Sequence, residues 1–127
     1  MGGTPNFTTY ISLGMTQIAT ANANRDGTGT LGTVVTSAGL GLRIDLVRIV
    51  ATSTTTNGMI RLFIDDGTNV RLWKEIPVVA TTPSATVEAF TAEYAPTLPL
   101  LLPSTYILKA GTEKAETFNV LSVGGRF

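Results

Sequence analysis

The chain has 127 residues, nine basic and nine acidic, with no cysteine and no histidine. That length fits one domain, able to bury roughly two-thirds of the surface its unfolded form exposes. The missing cysteines exclude disulfides and thiolate metal sites. The missing histidines remove the usual neutral-pH base, the commonest zinc ligand and the middle member of a serine triad.

Zero formal charge without a basic block gives no surface for displacing counterions from phosphates, so nucleic acid is not expected as a partner. The opening "MGGTPNFTTYISLG" lacks the cationic stretch and apolar run of a secretory signal. Asn6 stands where an acylation pattern needs Ser or Thr. No apolar run approaches the roughly 20 residues that span a bilayer. A chain without membrane partners, soluble until assembled, is expected.

Twenty-two threonines and frequent turn residues favour strands, because a β-branched side chain fits a pleated surface. Residues 1–9 read as an N-terminal arm and residues 10–127 as the folded domain. A first segment, Phe7 to Thr20, alternates loosely and is broken at Gly14. "TANANRDGTGT" (Thr20 to Thr30) is loop, since Asn, Asp and Gly tolerate left-handed backbone and bond their own main chain. Leu31 to Ser37 is a short strand. In Leu42 to Thr52, Leu42, Ile44 and Leu46 share one phase and Val47, Ile49 and Ala51 the other. This predicts a bulge or a strand buried on both faces.

"MIRLFIDDGTNVRLWKEI" (Met59 to Ile76) is the most strongly patterned stretch, and it reads as a hairpin. An odd loop, three residues ending in Gly67 as a G1 bulge, puts Ile60, Leu62 and Ile64 on a face with Val70 and Leu72. Arg61, Phe63, Arg71 and Trp73 then form the second face, with Arg61 opposite Arg71. The adjacent Asp65 and Asp66 suit turn chemistry. As a calcium loop "DDGTN" offers too few ligands, and catalytic carboxylates must flank a bond some 5–9 Å apart.

Pro77 and Pro83 place the next segment at an edge or outside the sheet, and Val87 to Tyr94 reads as a strand. In "LPLLLP" (Leu98 to Pro103) Leu98, Leu100, Leu101 and Leu102 cannot all enter one core. The segment is either buried on two sides or meets another subunit. Thr105 to Ala110 and Thr117 to Val123 are the last strands, separated by the polar "GTEKAE". Strands at this spacing predict an all-β, single-domain β-sandwich, jelly-roll-like. Trp73, Tyr10, Tyr94 and Tyr106 are candidates for a sugar-stacking platform. Half-buried sandwich aromatics give the same pattern.

"TANANRDGTGT", "GMIRLFIDDGTNVRLWKEIPV", "TPSATVEAF" and "GTEKAETFNVLSVGGRF" together resemble a group of small virion structural proteins of tailed bacteriophages, similar to head decoration (cement) proteins. The resemblance runs from about Thr20 to Phe127 and carries no catalytic motif. It implies a non-enzymatic capsid decoration protein, without cofactor or metal, made in the bacterial host cytoplasm and placed on the capsid surface of the virion. Its expected partners are the major capsid protein and itself, as a homotrimer. The alternatives are a tail, fibre or host-receptor (glycan) binding module and a hydrolase running on carboxylates. Contact residues are expected in the arm (Phe7, Tyr10), in the leucine segment (Leu98, Leu100, Leu101, Leu102) and in "GGRF" (Arg126, Phe127), where an aromatic anchor follows a flexible glycine pair.

Overall fold

The computed structural model describes residues 10–127, so the expected arm over residues 1–9, with Phe7, lies outside the described residues. The described residues contain no helix. Their strands are β1 (Tyr10–Ile18), β2 (Gly32–Thr36), β3 (Leu42–Ala51), β4 (Gly58–Asp65), β5 (Val70–Val78), β6 (Thr91–Tyr94), β7 (Leu100–Leu102), β8 (Ile107–Thr112) and β9 (Phe118–Arg126). They form a β-sandwich of two antiparallel sheets. The first sheet runs β1-β9-β3-β6, with β7 also on β3, and the second runs β2-β8-β4-β5. The ladders are nested: β1 with β9, β2 with β8, β3 with β6 and β7, and β4 with β5.

Alternation builds the core between the sheets. Leu42 and Ile44, then Val47, Ile49 and Ala51, point inward from β3, meeting Ile60 and Leu62 of β4, Leu108 of β8 and Val120 of β9. Phe90 and Phe118 meet edge to face, 6.4 Å between centroids. The phase change in β3 is a bulge between Ile44 and Leu46, which lets both apolar phases face the core.

Four local expectations change. Gly124 and Gly125, read as a flexible pair, lie inside β9 and pair on both sides, with β1 and β3. Gly14 does not break β1; the strand runs through it, because β1 passes so close to β2 that no side chain fits there. The hairpin loop has four residues, Asp66 to Asn69, since Asp65 pairs with Val70. A register shift between Leu62 and Phe63 then restores the inward phase, placing Ile60 opposite Ile76 and Arg61 opposite Glu75. The expected Arg61–Arg71 repulsion is therefore absent, and Leu72 lies opposite Phe63 instead of on the inner face. A sequence pattern fixes the parity of an uninterrupted ladder, and a bulge resets it. Finally, the strand expected over Val87 to Tyr94 begins only at Thr91, after a turn in which Ser84 N–H donates to Val87 C=O.

The β1–β2 connection lies across the outer face of the second sheet. Asn22 ties it down: its backbone N–H donates to Thr112 C=O at 2.8 Å, and its Nδ2 donates to Thr28 and Thr30 carbonyls at 2.9 and 3.0 Å. Under this cover Arg61 and Phe63 are buried on what is otherwise an outward face.

Candidate functional site

At the hairpin tip both aspartates have structural partners. Asp66 Oδ1 accepts from the Thr68 and Asn69 amides at 2.9 and 2.7 Å. These bonds, that to Asn69 first, hold its carboxyl below the usual range. Asp65 meets Lys109 Nζ at 2.8 Å and accepts from Gly67 N–H at 2.8 Å, and its carboxyl is lowered by Lys109 first and Gly67 second. Asp65 is thus a cross-strand partner, where the sequence suggested only an exposed turn. Among the described residues no group of three His, Cys, Asp or Glu side chains could hold a metal ion.

The most buried charge is Arg61. Its Nε meets Glu75 at 2.8 Å and its Nη2 meets Glu113 at 2.9 Å, while Arg25, on the covering loop, meets the same Glu75 oxygen at 2.7 Å. Burial works against the guanidinium charge, but hydrogen bonds to Glu113 and Glu75 outweigh it and raise its pKa. Arg25 and then Arg61 lower Glu75. This network fastens the loop to the sheet and is a structural device. The Glu75 carboxyl, lowered by its arginine partners, is the opposite of what a general acid requires.

The aromatic candidates separate. Trp73 and Tyr94 meet edge-on, 5.5 Å between centroids and 64° between planes, with Lys74 Nζ 4.6 Å from the Tyr94 centroid. Together with Pro96, Leu98 and Pro99 they line a shallow groove. Tyr106 packs against the core, and Tyr10 lies under Arg126, 5.3 Å from its centroid. In the leucine segment Leu102 is buried and Leu100 packs on the core, whereas Leu98 and Leu101 stand on the surface beside Arg43 and Phe127.

Sequence reasoning passed over the main apolar surface. On β1 the small residues Ser12, Gly14 and Thr16 point inward, with Ile18 entering the core at the end of the strand, and three large ones point out: Ile11 is 93% exposed, Leu13 56% and Met15 65%. Two strands continue the pattern. Leu13 lies beside Val123 and Leu46, and Met15 beside Leu121 and then Arg48. Polar pairs bound the patch. Gln17 donates to Asn119 at 3.0 Å across one end, Arg48 meets Glu93 at 2.7 Å along the far side, and Arg43, in the row of Gly125 and Ile11, meets Asp45 at 3.2 Å near the other end. An apolar patch with a polar rim on three sides and open at β1 has the make-up of a protein contact surface. The signal in sequence was the alternation of small and large residues in "SLGMT", which is legible only once the inward side is known.

No family model matches this chain, and no characterised protein matches it in sequence.

Proposed function

We propose that this chain is a non-enzymatic virion structural protein of a tailed phage, a decoration protein that binds the major capsid lattice and stabilises it. Its nested ladders read as a jelly roll, an architecture used by viral capsid domains and by lectins alike. Fold alone does not decide function. The observation that carries the reading is the apolar outer face of the first sheet, centred on Leu13, Leu121 and Val123. A free monomer has no use for a contiguous apolar patch with a polar rim, and an assembly partner does. The resemblance of the loop and hairpin motifs to small virion proteins of tailed phages supplies the particle.

The test is binding to purified native particles. Val123→Lys changes the centre of the face without touching the core, and it should abolish particle attachment while leaving the circular dichroism spectrum unchanged. Attachment equal to wild type would refute the reading.

A second reading, a host-receptor module that binds a glycan, is favoured by the Trp73–Tyr94–Pro96 groove. It requires that Trp73→Ala lose glycan binding that Val123→Lys retains. One ring pair at 64° offers a single stacking plane, which is why this reading comes second.

A further inference from the structure

We propose that β1 is the strand through which two copies of this chain pair, antiparallel about a two-fold axis. The inference is independent of any virion role.

It rests first on a comparison of strand ends of the two sheets. A sheet edge presents unpaired N–H and C=O groups, and proteins blunt edges with prolines, charges, bulges or shortness. In this sandwich the other edges carry such devices. β5 contains Pro77, Arg71, Lys74 and Glu75. β6 has four residues including Glu93, and β7 has three, followed by Pro103. β2 has five residues and a register shift between Thr33 and Val35. β1 has nine residues, "YISLGMTQI", with no charge, no proline and an unbroken ladder to β9. Among the described residues nothing pairs with its other side.

The second observation is where the apolar patch stops. Its polar rim runs past Gln17–Asn119, Arg48–Glu93 and Arg43–Asp45. On the remaining side there is no rim: the patch ends at β1 itself, where Ile11, its most exposed residue, stands. Contact surfaces are most apolar at their centre, so a patch that is most apolar at the molecular boundary is half of a larger one. A two-fold axis at β1 completes it. The strand is uncharged, so self-pairing brings no like charges together, and a register centred on Leu13 sets Ile11 of each copy opposite Met15 of the other. Apolar residues directly opposed across strands stabilise the pair. The contact is isologous and closed, so it yields even-numbered assemblies and not the homotrimer that the resemblance implies.

Light scattering on the pure full-length protein, over a concentration series, should give twice the chain mass. Leu13→Lys sets two ammonium groups face to face at the axis and should return the mass to one chain, with circular dichroism unchanged because Leu13 lies on the surface. The chain has no cysteine, so a single introduced thiol reports proximity. A short bis-maleimide should join Leu13→Cys into covalent dimers and leave Leu40→Cys, on an exposed turn away from β1, as monomer. A monomeric or trimeric wild type, a Leu13→Lys protein of undiminished mass, or equal cross-linking at both positions would each overturn the proposal.

Discussion

Gly14→Ala tests why β1 turns its large residues outward. A Cβ at position 14 would stand 2.5 Å from the Val34 carbonyl oxygen, 2.6 Å from Val35 Cβ and 2.7 Å from Ser122 Oγ. Nonbonded heavy atoms settle near ~3.5–4.0 Å, so β1 and β2 would have to part by about 1 Å. The first two obstacles are a backbone atom and a β-carbon, neither of which can swing aside. Overpacking of this kind costs about 1–3 kcal/mol. Alanine recovers about 0.5–1 kcal/mol of the chain entropy that glycine surrenders in a strand. With rigid obstacles the net loss comes to about 2 kcal/mol, or about 6–10 °C in Tm for a domain of this length. Thermal and urea unfolding followed by circular dichroism would measure it. A Tm indistinguishable from wild type would mean that β1 does not approach β2 this closely. The inward row of small residues would then no longer explain the outward row of large ones.

Arg61→Met leaves Glu75 and Glu113 without their shared cation. Breaking a buried pair costs about 3–5 kcal/mol, and because both carboxylates reach solvent a loss of about 2–3 kcal/mol is expected in urea unfolding. Asp26, Asp65, Asp66 and Glu75 all have carboxyls lowered by folded-state partners. Their stabilisation is therefore complete above the ordinary carboxylate range and is lost as pH falls through and below it. A melting series should be level from neutral pH to about pH 5 and fall steadily in more acidic buffer, less steeply for Glu75→Gln. Thr105 holds φ at +77°, a strained value for a β-branched residue. Thr105→Gly should raise stability by about 0.5–1 kcal/mol once glycine's own entropy is counted, seen as a higher Tm.

The sandwich was legible in the sequence because its evidence is local: β-branched residues, alternation, and turn residues at short intervals. The β3 bulge was legible for the same reason, since Leu42–Ile44 and Val47–Ile49 change phase within one strand. The hairpin register was not, because the shift beyond Phe63 inserts a residue that no parity count from the tip can anticipate. Arg61 looked like a surface cation for want of any sign that the Asn22-anchored loop would cross above it. The apolar outer face of the first sheet was the least legible. Attention fell on Leu98 to Leu102, where hydrophobicity is dense, yet two of those leucines serve the core. The outward row of Ile11, Leu13 and Met15 is sparse in sequence. It becomes a patch only when β9 and β3, over a hundred and some thirty residues further along the chain, bring Leu121, Val123 and Leu46 alongside.

A cryo-EM map of the native particle would show whether this chain decorates the capsid, and by which face. Density for the sandwich is expected on the outside of the capsid lattice, with the outer face of β1, β9 and β3 buried against protein and Val123 within the contact. Density for this chain elsewhere on the particle, or on the capsid with that face turned to solvent, would contradict the proposed function.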